Sequence, residues 1–273
     1  MNVKRVQKDV FRRGSKTYFN SSVFFPPAVR RDVYALYAFL RVADNFVDSV
    51  PPDPESFYAF RRRYERGIAT GSPSGDDIVD SFVSLATKRD FDPAWTTAFL
   101  HSMELDLKKN VYTTLDETLD YVYGSAEVIG LYMARLLGLP EEALSAARMQ
   151  GRAMQFINFI RDIAEDNVLG RQYLPAEETT LPDLSESTAR DDKSEFVRFV
   201  RAQVTRYRQW QEQAEAGYRF IPKRYLIPVK TASDMYNWTA ECIAEDPFIV
   251  FERKVKPTRP RIYRTVFANT LFS

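Results

Sequence analysis

The sequence predicts an all-α protein folded as a single domain over residues 1–273. Three observations carry this prediction. Apolar residues recur at helical spacing along most of the chain. Pro, Gly and Asp clusters divide those stretches into helix-sized pieces. Strand-like alternation of apolar and polar residues is nearly absent. The chain has 273 residues, 45% of them hydrophobic and 14% aromatic, enough for a large core.

The elements follow in order. In residues 29–48, Val33, Leu36, Tyr37, Leu40 and then Phe46 or Val47 recur near the 3.6-residue period. Comparable stretches cover about 54–70, 76–89, 93–110, 115–138, 141–169, 193–221 and 229–245, giving some eight to ten helices. The breaks fall at VPPDPESF, TGSPSGDD, FDPAW, LGLPEEAL and EDPF. Pro140 before Glu141 and Glu142 suits a helix start, because proline and acids favour the first turn. Gly170 suits a helix end. The polar, proline-containing stretch 170–192 reads as a lid or a surface loop. No fixed-period repeat is present.

Composition narrows the function. Thirty-eight basic and 37 acidic residues leave a net charge of +1, which argues against a nucleic-acid-coating protein. A single cysteine, Cys242, allows no disulfide within the chain and fits a reducing compartment. No apolar run reaches the roughly 18 residues of a spanning helix, and MNVKRVQKDVFRRGSK lacks a signal-peptide core. The chain stops at VFANTLFS without an apolar anchor. The expectation is a cytoplasmic protein, at most peripheral to a membrane. Nothing in the sequence fixes an oligomeric state.

The candidate chemistry lies in two matched acid pairs. Asp44 and Asp48 stand four apart at the end of the apolar run VYALYAFLRVAD. Asp162 and Asp166 stand four apart in MQFINFIRDIAEDNVLG, with Asn158 one turn earlier. On a helix, residues four apart are neighbours, so Asn158, Asp162 and Asp166 share one stripe, with Glu165 at its edge. Like charges so placed repel, and burial makes uncompensated charge far costlier. A lone pair of this kind is ordinarily a solvated face. Two pairs in apolar helices, with Arg41 and Arg161 beside them, point instead to cation and diphosphate binding. Magnesium takes oxygen ligands from one or two carboxylates plus phosphate and water, and arginines hold the remaining phosphate charge. The apolar surroundings suit a lipid-like tail. His101, the only histidine, reads as a satisfied structural residue, and Cys242 as a core thiol. The arginine-rich RRRYERG (61–67) and KPTRPRIYR (256–264) read as solvated faces, with anionic lipid as the other reading.

The chain resembles the squalene/phytoene synthase family, the head-to-head prenyl diphosphate synthases, from about Gly14 to about Arg264. ALYAFLRVADNFVD resembles the family's first aspartate-rich motif and QFINFIRDIAEDNVLGRQYLP its second, the more specific of the two. GSKTYFNSSVFFP resembles the N-terminal substrate segment, LDYVYGSAEVIG the tyrosine-containing helix, and TASDMYNWTAECIAEDPFIVFERKV the C-terminal helix and basic segment. The resemblance implies the all-α isoprenoid synthase fold, helices around a central apolar cavity. It implies that Asp44, Asp48, Asn158, Asp162 and Asp166 bind Mg²⁺, or Mn²⁺ in its place. It implies diphosphate contacts from Arg41, Arg161, Tyr236 and Arg253, substrate contacts from Ser15, Thr17 and Tyr18, and a place near the reacting carbons for Tyr121. There are departures. Asn45 stands where an acid is frequent, Gly14 where some members have histidine, and Glu127 where a small residue is usual. For Glu127 the open readings are a narrowed pocket, an arginine partner, a place in the metal shell, or a helix rotated to expose it, the last being slightly preferred.

The activity implied is the joining of two prenyl diphosphates through a cyclopropylcarbinyl diphosphate. The first expectation is phytoene from two C20 chains. The alternatives are dehydrosqualene from two C15 chains, or squalene if NADPH supplies hydride. The 10 glycines contain no dinucleotide fingerprint, which weakly favours the redox-neutral product. Tyr34, Tyr37, Phe39, Phe156 and Phe159 accompany the motif helices, where π faces stabilise cations. Each alone is ordinarily core packing. Two other classes remain open. A non-catalytic assembly factor would be expected to lose metal ligands, and this chain keeps both pairs. A head-to-tail prenyl enzyme would show the tighter DDxxD cluster, whereas both motifs here read DxxxD.

Overall fold

In the computed structural model, residues 3–14 and 25–272 are described, and helices dominate them. The helices are α1 (Val3–Gly14), α2 (Pro27–Asp48), α3 (Pro54–Thr70), α4 (Asp77–Arg89), α5 (Pro93–Asp106) and α6 (Leu115–Val122). A π-helical turn, Tyr123–Glu127, runs into α7 (Val128–Leu137). Then come α8 (Leu144–Arg161), α9 (Ile163–Val168), α10 (Glu186–Asp191), α11 (Lys193–Glu215), α12 (Lys223–Glu245), α13 (Ile249–Glu252) and α14 (Arg259–Phe272). Among the described residues, strand pairing is limited to one isolated bridge, Val111 with Gln172. The all-α class stands.

The ends form where the sequence supplies caps. Asp53, Asp76 and Asp92 accept backbone N–H bonds at the starts of α3, α4 and α5. Thr114 and Glu117 form a capping box at α6. Gly170 takes φ 67°, just past the end of α9. Two long predicted helices are divided. The stretch 141–169 opens with a 3₁₀ turn, Glu141–Ala143, and breaks at Asp162. The stretch 115–138 contains the π turn. Segment 170–192 is not a free loop, because Leu181, Leu184 and Ala189 are buried and α10 lies within it. The terminal helices α1 and α14 fall outside the predicted set.

The buried residues form two clusters. One gathers Leu36, Phe39, Phe57, Phe60, Phe82, Phe99 and Tyr132 from α2–α5 and α7. The other gathers Tyr121, Phe156, Ile160, Phe196, Phe199, Tyr207 and Ala240 from α6, α8, α11 and α12. The π turn packs on both α5 and α8. Close approach there demands glycine: a Cβ on Gly124 would lie 2.1 Å from the Ala98 carbonyl oxygen, and one on Gly151 2.3 Å from that of Ala126. The first acid pair rides on the first cluster and the second pair on the other.

Candidate active site

The first pair ends α2, whose inner face buries Leu36, Phe39, Leu40, Ala43 and Val47. That packing leaves Asp44 half-buried and Asp48 more exposed at the helix end. Arg41 forms an ion pair with Asp44 from one turn earlier. Burial, and then the Asp48 charge, still push the Asp44 carboxyl up to about 6. A single arginine does not offset both effects.

The second pair spans a break in the helix. Asp162 leaves helical geometry (φ −98°, ψ 14°), yet Asp162 N–H donates to the Asn158 carbonyl and Asp166 N–H to that of Asp162, each at 2.8 Å. The stripe predicted for Asn158, Asp162 and Asp166 is therefore re-aimed at its centre while its backbone ladder persists. Arg161 makes a two-pronged bond to Asp162 at 2.7 and 2.6 Å. Lys254 reaches Asp162 at 3.1 Å and also pairs with Glu165. Burial, and then the Asp162 charge, raise the Asp166 carboxyl to about 7, with Arg171 pulling the other way. Asn158 Oδ1 is buried with no hydrogen-bond partner among the described residues.

Arg171 joins the two halves. Its guanidinium donates to Asp48 at 3.3 Å and to the Val47 carbonyl at 3.4 Å, and its charge is felt at Asp166. Behind it, Asp106 at the end of α5 accepts bonds from the hydroxyls of Tyr121 and Tyr173, both 2.8 Å. Burial lifts Asp106 to about 6 despite those bonds. The aromatic floor is continuous: Phe159 stacks on Tyr173 at 4.5 Å, Tyr121 lies 5.0 Å from Tyr173, and Tyr112 lies 5.3 Å from Tyr121. Carboxylates thus sit at the rim and π faces beneath them.

Asp44, Asp48, Asp162, Asp166, Arg41, Arg161 and Tyr121 all belong to this assembly. Tyr236 is close enough for its hydroxyl to bear on Arg161. Arg253 is exposed, and its charge bears on Cys242, while the next residue, Lys254, meets the second pair. Ser15, Thr17 and Tyr18 lie outside the described residues. Sequence reasoning missed Asp106, Arg171, Tyr173 and Lys254. Asp106 carried the signal that exposed Asp44, an acid ending an apolar helical run (Phe99, Leu100, Met103). The other three lie in segments without helical period, where spacing places nothing on a shared face.

Three expectations are corrected or settled here. Glu127 is not exposed: it is fully buried, held by Arg148 at 2.9 Å and Arg152 at 2.6 Å. The arginine-partner reading is the one the structure adopts. Arg148 and Arg152 also lie over the rings of Tyr123 and Trp210, each at 5.2 Å. His101 is a surface residue, 3.7 Å from Asp120, because α5 turns it outward. Cys242 is partly buried, and burial raises its thiol, which suits a packing role over a nucleophile.

The donor set fits a hard divalent cation. It is all oxygen, its carboxylates come in pairs, and it includes one buried amide oxygen without a partner. Among the described residues no three His, Cys, Asp or Glu side chains converge on one point. A cation held here would therefore share its shell with substrate phosphate and water.

Comparison with known proteins adds the following. The squalene/phytoene synthase family model matches residues 11–261. A 15-cis-phytoene synthase of Pantoea ananas is 30% identical over 82% of this chain and 77% of its own. One from Enterobacter agglomerans is 31% identical over 82% and 80%, and one from Synechocystis 28% identical over 93% and 80%. Among solved structures, a dehydrosqualene synthase superposes with TM-score 0.86 at 19% identity, covering 99% of this chain and 96% of its own. The squalene synthase HpnC of Alicyclobacillus acidocaldarius gives 0.81 at 20%, covering 90% and 94%. These two show a shared all-α isoprenoid synthase fold.

Proposed function

The chain belongs to the squalene/phytoene synthase family, and we propose that it joins two C20 prenyl diphosphates head to head into phytoene without NADPH. The single observation behind this reading is that Arg171 links one acid of each pair, bonded to Asp48 and felt at Asp166, beside the Phe159–Tyr173–Tyr121 aromatic stack. The curated phytoene synthases among the relatives favour the C20 product over C15 coupling.

Asp44, Asp48, Asp162 and Asp166, with Asn158, would hold Mg²⁺, or Mn²⁺. Bound there, the cation would neutralise diphosphate charge as it develops on the leaving group. The chain's own cations do the same work from fixed positions. Arg41, Arg161, Arg171 and Lys254 already face the carboxylates and would turn to phosphate oxygens when substrate enters. Loss of the first diphosphate leaves an allylic cation. Attack by the second chain's double bond gives a cyclopropylcarbinyl diphosphate. Its ionisation, rearrangement and loss of one proton give phytoene, with two diphosphates released in all. The stacked aromatic faces stabilise the cations and keep water out. Burial raises the Tyr121 hydroxyl well above its usual range, so it stays protonated beside Asp106 and orients rather than deprotonates. The hydrocarbon product partitions into lipid, which supports a placement peripheral to a membrane; the single cysteine fits the reducing cytoplasm. No helix of the described residues is long and apolar enough to cross one.

The test incubates purified protein and Mg²⁺ with C20 or C15 prenyl diphosphate, with and without NADPH. A C40 hydrocarbon from C20 substrate alone, lost in Asp44→Ala and Asp162→Ala, is the expected result. A C30 product from C15 substrate moves the assignment to dehydrosqualene, or to squalene if NADPH is required. No coupled product from folded protein refutes the catalytic reading.

A further inference from the structure

From Arg253 to Phe272 the sequence carries six basic residues and no acid, in a chain whose net charge is +1. Most of that segment is α14. One side of α14 is fixed to α12: Asn269 is buried and bonds Thr231 at 3.2 Å and Asp234 at 2.7 Å, and Arg261 lies 4.6 Å over the ring of Trp238. The other side is exposed among the described residues. Tyr263, Phe267 and Leu271 are 71%, 66% and 57% exposed. They stand four residues apart, so they line one row along the helix, and exposed Arg259 begins the same row. Exposed Arg264 stands beside it. Two acids, Asp234 and Glu241, line the cleft on the helix's flank with Arg261 and Arg264, and α14 itself carries none.

We infer that this row of α14 docks the protein on an anionic lipid bilayer. A helix with aromatic and aliphatic side chains on one face and arginines alongside suits the headgroup boundary, where rings enter and guanidinium groups meet lipid phosphate. A second copy of the chain is the poorer occupant, because α14 carries three arginines and no acid to pair with them across a symmetric contact. The placement also links surface to site. Only Val255–Thr258 separate α14 from Lys254, which pairs with Asp162 of the second acid pair. The inference rests on the peripheral placement proposed above, and its test reads lipid binding directly, apart from any product.

The full chain is sedimented with phosphatidylglycerol or phosphatidylcholine vesicles at low and high salt. Binding to the anionic vesicles, weakened by salt, is expected. Phe267→Ser with Leu271→Ser, and separately Arg259→Gln with Arg264→Gln, each weaken it by roughly tenfold or more. Their unfolding temperature and activity in detergent match the parent, since these side chains support neither core nor site. Equal binding by both variants, or binding indifferent to lipid charge, overturns the proposal. A parent dimer that these variants dissociate, without loss of vesicle binding, assigns the row to a contact between copies instead.

Discussion

Glu127 and Asp166 are both carboxylates drawn inside the protein on motif-bearing helices, and they are treated in opposite ways. Glu127 is fully buried, and two arginines saturate its oxygens. Asp166 is less buried, yet its carboxyl is raised to about 7: burial lifts it first, Asp162 and Glu165 crowd it further, and Arg171 and Lys254 only partly offset them. Asp44 repeats the second pattern beside Asp48 and Asp106. Charge matched within the protein marks a structural joint. Charge left under-matched at a rim marks a place prepared for an outside cation.

The sharpest way to break that contrast is to exchange its consequences. Asp44→Asn and Asp166→Asn should each lower product formation by at least about 100-fold. Their thermal stability should hold or rise, because each removes a carboxylate crowded by its neighbours. Scanning calorimetry beside the product assay checks this, and a large fall in melting temperature would place these acids with Glu127. Glu127→Ala should do the reverse. It strands Arg152, and to a lesser degree the more exposed Arg148, at a cost of about 3 kcal/mol. Urea unfolding reads that loss, and Glu127→Met with Arg152→Met should recover most of it. Variants that remain folded should keep substantial activity.

A smaller effect is expected at the joint behind the rim. Tyr173→Phe removes one of the two hydroxyls on Asp106 and should lower kcat by roughly 10-fold to 100-fold while leaving KM for substrate little changed. Single-turnover kinetics separates the two parameters. The smallest effect is in pH. Asp44, Asp106 and Asp166 have folded values above the usual carboxylate range, so between about pH 4 and pH 7 the folded state binds more protons than the unfolded. Their contribution to stability therefore falls as pH rises through that window. Mg²⁺ should bind more tightly as those protons leave, so its stabilisation should be greater at pH 7.5 than at pH 5.5. Melting curves with and without Mg²⁺ test it, and a pH-independent increment would remove Asp44 and Asp166 from the cation shell.

The spacing of apolar residues made most of the helices legible, and the i,i+4 acids made both pairs legible. Local rules were enough there, because helix geometry alone puts such residues side by side. The breaks were not legible. The kink at Asp162 and the π turn at Tyr123–Glu127 interrupt patterns that read as continuous, since the apolar period survives both. Helices α1 and α14 were missed for a related reason. In α14 the exposed row is itself apolar, so the outward side carries the signal that normally marks an inward one.

The sequence by itself determined the all-α class, the family, and the spacing of each acid pair with Arg41 or Arg161 beside it, since each depends on residue type at short range. Only the tertiary structure decided the rest. It placed Asp106 between Tyr121 and Tyr173, set Arg171 between the two pairs, and brought Lys254 rather than Arg253 to Asp162. It also decided that Glu127 is buried with its arginines. These are contacts between residues far apart in the chain, or around a helix whose rotation is fixed by its neighbours. Their cost or benefit depends on which charges share a desolvated space, and no spacing along the chain encodes that.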